Sequence, residues 1–176
     1  MEMLNKWDYS GVADMVFGTF EAYEKPAEFL GDTVEDWGCG TAWAKNYFKN
    51  YRGIDGSYHE NVDEIVDLQE YTSDVDNILM RQVLEVCGDW RKVLENVKKS
   101  FKKKFCLVLY TPFIRKTKVV DSVVSIKADG TRMGDDMVTE VYNFKKKDIL
   151  DYFPKDEFNV KEEKIGKEWI LYVERL

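Results

Sequence analysis

A glycine-rich turn flanked by acidic residues is the stretch of this sequence best suited to chemistry. Asp36 precedes Gly38 and Gly40, and Asp55 follows Gly40 after 15 residues. Glycines lack a Cβ, so the backbone can approach a ligand closely, and a helix that begins beyond them directs free N–H groups to the same place. A carboxylate at the end of the next strand can accept hydrogen bonds from a ribose diol. The spacing therefore predicts a nucleoside-containing ligand.

Strand and helix patterns alternate around this turn. Helical spacing of apolar residues predicts a helix up to Leu30 with Pro26 in its first turn, one over 41–50 and a third over 89–104 with Asp89 as N-cap. Lysines crowd the end of the third helix, where they complement the helix dipole. Strands are predicted over 33–37, 51–55, 63–68, 73–80 and 105–113.

The last third of the chain has a different pattern. A DG turn signal lies at 129–130, a short helix is predicted over 143–153, and alternation over 157–165 and 168–176 favours an antiparallel hairpin. We expect one α/β domain with a mostly parallel sheet, right-handed crossovers and a ligand crevice at the carboxyl ends of its strands. The expected divisions are a helical cap at 1–30, a ligand-binding core at 31–113 and a C-terminal part at 114–176 with substrate-side loops and the hairpin.

Composition excludes several classes of protein. The 176 residues are 44% apolar with a net charge of −7, which suits a single globular domain and disfavours nucleic acid as a partner. Three cysteines and one histidine in no ligand spacing predict reduced thiols and no metal site. Without a signal peptide or an apolar stretch of membrane-spanning length, we expect a cytoplasmic protein.

The residues of the turn restrict the choice of ligand. The dinucleotide-binding motif G-x-G-x-x-G has a third glycine where the helix packs on the strand, and in this sequence Trp43 occupies that position. A P-loop is excluded because no Gly-Lys-Ser/Thr sequence is present. A nicotinamide-dependent oxidoreductase is therefore disfavoured.

Several motifs in order resemble the class I S-adenosylmethionine-dependent methyltransferases. They are VEDWGCGTA, YRGIDGS, VDL, VDNILMRQVLEV and FCLVLYTPF, which together cover roughly 34–113. This resemblance implies a Rossmann-like three-layer sandwich whose sheet has seven strands, with the last one inserted antiparallel. It also implies S-adenosylmethionine as cofactor, S-adenosylhomocysteine as product and methyl transfer as activity.

The resemblance assigns a cofactor role to each matching position. Gly38, Cys39 and Gly40 pass under the amino-acid part of the cofactor, and Asp36 reaches its amino group. The remaining positions bind the ribose, contact the adenine or lie beside the sulfonium; they are Asp55, Gly56, Ser57, Asp67, Leu68, Met80, Arg81 and Gln82.

Three departures from the family pattern concern the turn, the active site and the adenine side. Ala42 replaces the usual third glycine, a change of one methyl group. Gln82 and Val86 stand where many relatives have histidine, which weakens the prediction of catalysis more than that of cofactor binding. About eight residues separate Ser57 from the third strand, so the second helix is expected to be very short or missing.

Candidate catalytic and substrate residues lie near the predicted strand ends. Glu85 or His59 could serve as the base that takes a proton from an acceptor, with a solvated or capping carboxylate and a surface-loop histidine as the alternatives. An aromatic acceptor pocket could form from Trp7, Tyr9, Tyr110 and Phe113, or these could be core residues.

The sequence leaves two functions open besides methyl transfer to a small-molecule acceptor. One is a binding protein of the same fold that holds S-adenosylmethionine or S-adenosylhomocysteine without catalysis. The other is the NAD-dependent oxidoreductase disfavoured above. We expect no membrane partner and a monomer or homodimer.

Overall fold

The computed structural model describes residues 18–124 and 138–176, which form a seven-stranded sheet and a separate two-stranded sheet. The parallel strands of the large sheet are β1 Thr33–Trp37, β2 Asn50–Asp55, β3 Glu64–Ile65, β4 Val75–Arg81 and β5 Phe101–Tyr110. With the C-terminal strands β8 Phe158–Ile165 and β9 Glu168–Arg175, the order across the sheet is β3-β2-β1-β4-β5-β9-β8. The order places β1 between β2 and β4, so the residues after these three strands meet at one edge.

The C-terminal hairpin closes the sheet as the sequence predicts. Strands β8 Phe158–Ile165 and β9 Glu168–Arg175 pair antiparallel, and β9 also pairs antiparallel with β5. The small sheet consists of β6 Lys118–Val124 and β7 Val138–Asn143. The predicted fold class is therefore confirmed, while the DG turn and the first 17 residues of the expected cap lie outside the described residues.

Helices cover both faces of the large sheet. Helix α1, Glu21–Leu30, packs Ala22 and Tyr23 against one face beside Leu79 and Val108. Helix α2, Trp90–Ser100, and the short helix α3, Lys146–Leu150, pack on the other face, where the larger apolar cluster lies. This arrangement is the expected three-layer sandwich. No helix in the described ranges is long and apolar enough to span a membrane.

The helix predicted over 89–104 ends earlier than expected. Asp89 caps its first turn, since its carboxylate accepts the Lys92 N–H at 3.2 Å, but the helix stops at Ser100. Phe101 is buried and pairs with Val75, so the chain is already in β5. The lysines expected at the helix end divide between helix and strand, and Lys102 of β5 forms an ion pair with Asp74.

The helix predicted over 41–50 is a five-residue 3-10 turn, Trp43–Tyr47. Ala42 before it is left-handed and Phe48 after it is extended, and β2 begins at Asn50. The left-handed residues before this turn and the extended residue after it leave only the middle of the crossover helical. Residues 56–63, all within the described part of the chain, also contain no helix, which confirms the expected loss of the second one.

Pro26 lies in the middle of α1 and not in its first turn as expected. Proline lacks the N–H that would bond the carbonyl four residues earlier, here that of Ala22. Nε of Arg81 donates to this Ala22 oxygen at 3.2 Å. The Ala22 carbonyl, which lacks its usual helical N–H partner because of Pro26, therefore connects α1 to the end of β4 through Arg81.

Candidate functional site

Asp55 joins the glycine turn to the end of β2. Its Oδ2 accepts the Gly40 N–H and its Oδ1 accepts the Ser57 N–H, both at 2.8 Å. Burial raises the pKa of Asp55, and the N–H donors of Gly40, Ser57 and Gly56 oppose this shift. The carboxylate therefore holds two loops together at the edge of the sheet.

The glycine turn has left-handed backbone at both of its glycine positions. Gly38 has φ +75° and Gly40 has φ +57°, in the left-handed region where other residues are strained. A Cβ on Gly38 would lie 2.3 Å from the Val83 side chain. Gly38 therefore also allows the turn after β4 to approach the turn after β1.

Ala42 continues the turn with φ +61° and is fully buried. A left-handed alanine costs about 1 to 2 kcal/mol relative to its ordinary conformations. The one methyl group that distinguishes Ala42 from the family's glycine is thus accommodated at the expense of backbone strain.

Asp36 at the end of β1 is a buried carboxyl that is only half hydrogen-bonded. Its Oδ2 accepts the Tyr51 hydroxyl at 2.7 Å, whereas its buried Oδ1 has no hydrogen-bond partner among the described residues. Burial raises the pKa of Asp36 to about 7, although the Tyr51 hydroxyl and the Arg81 guanidinium oppose the shift. A buried bare oxygen of this kind suits a cationic or N–H donor supplied by a ligand.

The residues after β4 form a buried ion-pair network. Arg81 Nη2 lies 2.6 Å from Glu168 Oε1, and Gln82 Nε2 donates to the same oxygen at 2.6 Å. Glu168 Oε2 accepts from the backbone N–H and hydroxyl of Thr19, and the guanidinium lies 3.8 Å from the centre of the Tyr23 ring. The charge of Arg81 is thus offset by a carboxylate and does not stand alone at the predicted sulfonium position.

Glu85, in a 3-10 turn at Leu84–Val86, is a second half-bonded buried carboxyl. Its Oε1 accepts the Tyr110 N–H at 2.8 Å, and its buried Oε2 has no partner among the described residues. Burial raises the pKa of Glu85 to about 7, with the Tyr110 N–H opposing the shift. Glu85 is neither solvated nor a helix cap, so these two alternative interpretations of the residue are wrong.

His59 is buried at 2% exposure, so the expected surface-loop position is wrong. Its Nδ1 accepts the Asn61 N–H at 3.2 Å in the loop between β2 and β3. This contact explains the histidine as a loop-stabilising residue.

The predicted adenine residues lie after β3 in a compact turn. Asp67 Oδ1 accepts the Gln69 N–H at 2.9 Å, and the Asp67 carbonyl accepts from Glu70 and Tyr71. Leu68 is buried in the core, and its carbonyl accepts from the side chain of Asn96 at 3.0 Å. Asp67 thus remains at the edge of the sheet, whereas the Leu68 side chain packs inward.

The other predicted site residues divide between core and surface. Met80 has no exposed surface and packs in the core cluster below α2, so its side chain does not face the crevice. Tyr110 is 46% exposed beside Glu85, and the Phe113 ring packs edge-on against Trp169 with 4.9 Å between centroids. Trp7 and Tyr9 lie outside the described residues.

No protein-family model matches the sequence, and no curated protein does either. Solved structures match most of the chain. The DhpI-SAM-HEP complex has a TM-score of 0.63 and 14% identity over 89% of this chain and 85% of the other. A Burkholderia thailandensis 1,6-didemethyltoxoflavin-N1-methyltransferase, with bound 1,6-didemethyltoxoflavin and S-adenosylhomocysteine, has a TM-score of 0.64 and 11% identity over 89% and 77%.

A third similar structure is an S-adenosylmethionine-dependent methyltransferase from Mesorhizobium loti, with a TM-score of 0.59 and 13% identity. The match covers 89% of this chain and 97% of the other. The chain has the class I methyltransferase fold. Identities this low establish the fold and leave the activity to be argued from the site.

Gly38, Gly40, Asp36 and Asp55 lie close together at one edge of the sheet. The bare Asp36 oxygen beside the turn fits the amino group of S-adenosylmethionine, so the residues present fit this cofactor. The described residues contain no cluster of side chains suited to a metal ion.

The sequence did not indicate that Tyr51 would contact Asp36 or that Glu168 would contact Arg81. Tyr51 lies 15 positions after its partner Asp36, and Glu168 is 87 positions after Arg81. Strand pairing brings both into contact, since Val34 of β1 pairs with Tyr51 of β2 and β9 lies beside β5. No periodicity or motif in the sequence signals either contact.

Proposed function

We propose that this protein binds S-adenosylmethionine and transfers its methyl group to a small-molecule acceptor. The observation that carries the proposal is the buried Asp36 Oδ1, which has no hydrogen-bond partner among the described residues and lies beside the left-handed Gly38–Gly40 turn. A buried polar atom without a partner destabilises the protein unless a ligand completes it. The similar structures support the choice of ligand, because the DhpI complex and the toxoflavin methyltransferase have S-adenosylmethionine or its product bound.

The residues of the cofactor turn have separate tasks in this proposal. Gly38, Cys39 and Gly40 form the surface under the amino-acid part of the cofactor, while Asp36 accepts from its ammonium group. Asp55 keeps the turn in place through the Gly40 N–H, and a carboxylate has acceptor capacity left for ribose hydroxyls. The adenine end is assigned to Gly56, Ser57, Asp67 and the Leu68 backbone.

The turn after β4 forms the reacting end of the site. S-adenosylmethionine supplies a methyl group that is already activated for in-line displacement. Arg81 and Gln82 hold the end of β4 through Glu168, and the Met80 backbone lies at the same strand end. The paired charge of Arg81 avoids an isolated cation beside a cationic cofactor.

Glu85 is the general base of this proposal. A carboxyl with a pKa of about 7 can take a proton from an acceptor hydroxyl or amine near neutral pH. Oε2 is the oxygen available for this step, because Oε1 is engaged by the Tyr110 N–H. Tyr110 and Phe113 are the proposed acceptor-side surface, and His59 remains a weaker candidate for the base.

Titration calorimetry tests the cofactor. We expect heat of binding with S-adenosylmethionine and S-adenosylhomocysteine and none with NAD. Asp36→Asn should weaken the binding of both cofactor forms by about tenfold or more, since it removes one charge-assisted hydrogen bond. Asp74→Asn, at an exposed surface carboxylate, is the matched control and should bind as the wild type does. Binding of NAD alone would contradict the proposal.

Methyl transfer from labelled S-adenosylmethionine to a panel of hydroxyl, amine and thiol acceptors separates enzyme from binding protein. For an acceptor that is methylated, Glu85→Gln should lower kcat by about 10²-fold to 10⁴-fold with cofactor affinity unchanged. Cofactor binding without transfer to any acceptor would favour the binding-protein alternative. Unchanged kcat in Glu85→Gln would remove Glu85 from the base role.

A further inference from the structure

Tyr51 lies in the first half of β2 and is the first residue of the YRGIDGS motif, in which the sequence assigned a role to Asp55, Gly56 and Ser57 but none to the tyrosine. Its hydroxyl nevertheless donates to Asp36 Oδ2 at 2.7 Å across the pair of parallel strands. Burial and the neighbouring Asp36 raise the pKa of Tyr51 far above its usual range, so its hydroxyl remains protonated and acts as the donor. Tyr51 thus makes the one direct hydrogen bond to this carboxylate found among the described residues.

Gly53 provides the space for this contact. A Cβ on Gly53 would lie 2.9 Å from Cys39 Sγ and 3.0 Å from the Tyr51 ring. Gly53 pairs with Asp36 in the sheet register, so the missing side chain is directly beside the carboxyl. The geometry therefore places the Tyr51 ring, the Cys39 thiol and the Asp36 carboxyl in one packed group below the glycine turn.

The consequence for Asp36 is a fixed orientation. With Oδ2 held by the Tyr51 hydroxyl, Oδ1 is the oxygen left without a partner. We propose that Tyr51 is a positioning residue that orients Asp36 and stabilises its ionised form, so that Oδ1 can accept the ammonium group of the cofactor. This inference rests on the proposed function, because the ammonium belongs to S-adenosylmethionine.

The charges around Asp36 determine its pH response. The Tyr51 hydroxyl and Arg81 of β4 favour the ionised carboxylate, whereas burial and Asp55 at the end of β2 oppose it, and the Cys39 thiol is also in contact range. With a pKa of about 7, Asp36 is partly protonated at neutral pH. Removing the Tyr51 hydroxyl takes away a hydrogen bond to the charged form, so the pKa of Asp36 should rise.

Tyr51→Phe tests the inference with two ligands. S-adenosylhomocysteine carries the ammonium, whereas 5′-methylthioadenosine has the same nucleoside and thioether without the amino-acid part. At pH 7 the variant should bind S-adenosylhomocysteine five- to tenfold more weakly and 5′-methylthioadenosine within twofold of the wild type. Tyr47→Phe, which removes a nearby hydroxyl from a ring stacked on Tyr23, is the matched control and should change neither affinity.

The pH profile separates positioning from a merely structural role. Wild-type affinity for S-adenosylhomocysteine should rise between pH 6 and 8 with a midpoint near the pKa of Asp36, and the midpoint should move up by about one unit in Tyr51→Phe. Asp36→Asn should abolish this dependence. Carbon-13 NMR titration of the Asp36 carboxyl in the ligand-free proteins measures the same shift without any cofactor.

Two negative results have different meanings. If the wild type binds S-adenosylhomocysteine and Tyr51→Phe has the same affinity and pH midpoint, the positioning role is wrong while the proposed function stands. An equal loss for both ligands would also contradict it, since it indicates general damage to the site. If the wild type binds neither ligand, the proposed function itself fails, and the inference about the ammonium fails with it.

Discussion

The turn after β1 and the turn after β4 are built alike but differ in how completely their buried carboxyl groups are hydrogen-bonded. Each contains a non-glycine residue at positive φ, Ala42 at +61° and Gln82 at +54°. Each is held by a buried carboxyl that accepts a backbone N–H from a neighbouring segment, Gly40 for Asp55 and Tyr110 for Glu85. Asp55 accepts on both oxygens, whereas Glu85 Oε2 has no partner among the described residues.

This difference in hydrogen bonding affects how readily each carboxyl group ionises. Hydrogen bonds from N–H groups favour the ionised form and oppose the effect of burial. Asp55 has three such donors, while Glu85 has fewer and reaches a pKa of about 7. In the proposed function these two acidic residues, which lie at or just after the ends of the strands on either side of β1, have separate tasks: Asp55 fixes the glycine turn and Glu85 exchanges protons.

The largest expected effect is a pH dependence of stability at Glu85. In the unfolded chain a glutamate has a pKa of about 4.3, whereas the folded value is about 7. The folded state therefore binds more protons between these values, and the free energy of unfolding should fall as the pH rises through this window. The contribution is on the order of 3 kcal/mol.

Urea denaturation of the wild type and Glu85→Gln measures this effect. The difference in unfolding free energy between the two proteins should decrease from about pH 4.5 to about pH 7 and stay constant above it. Comparison with the variant removes the parallel contribution of Asp36, whose pKa is also about 7. A difference independent of pH would show that Glu85 ionises as readily in the folded protein as in the unfolded one.

Asp55→Asn should destabilise the protein by about 2 kcal/mol at pH 7. An amide has one acceptor oxygen, so its NH₂ group would face either the Gly40 or the Ser57 N–H, and one buried donor would lose its partner. Guanidinium denaturation measures the loss. Asp74→Asn, on the surface, should stay within about 0.5 kcal/mol of the wild type. Equal changes in both variants would contradict the role of Asp55 in holding the glycine turn.

The smallest expected effect concerns the strained Ala42. Ala42→Gly should raise the free energy of unfolding by at most about 1 kcal/mol, since relief of the left-handed conformation outweighs one lost buried methyl. The matched control is Ala44→Gly in the adjoining 3-10 turn, which should lower it by about 1 kcal/mol. Thermal and urea denaturation compare the two variants, and a loss of stability in both would contradict strain at Ala42.

Most of the sheet could be predicted from local patterns. The residues of β1, β2, β4 and the closing hairpin follow alternation or continuous apolar runs, and the structure confirms them. The failures occurred where tertiary packing overrode local preference. Residues 41–50 have helical spacing, but the left-handed Ala42 and the extended Phe48 leave only a 3-10 turn. Phe101 continues a helical pattern and instead begins β5, because its side chain enters the core.

Part of the candidate site could likewise be predicted from local sequence, and part depended on tertiary packing. The glycine turn and its two acidic partners were readable because a backbone that approaches a ligand needs glycine at fixed spacing from a strand end. The burial of His59 and Met80, and the paired charge of Arg81, could not be predicted, since they depend on which segments cover each strand. The contact between Tyr51 and Asp36 could not be predicted because it depends on the register in which β1 and β2 pair.

The sequence by itself determined which carboxyl groups lie near strand ends and which turn they accompany, because strand ends and glycines are local properties of a chain. Only the tertiary structure decided which of these carboxyl oxygens are hydrogen-bonded and which are bare. That depends on donors from distant segments, the Gly40 and Tyr110 N–H groups and the Tyr51 hydroxyl. Those donors favour the ionised form of each carboxyl group and burial opposes it, so both depend on the packing of distant segments.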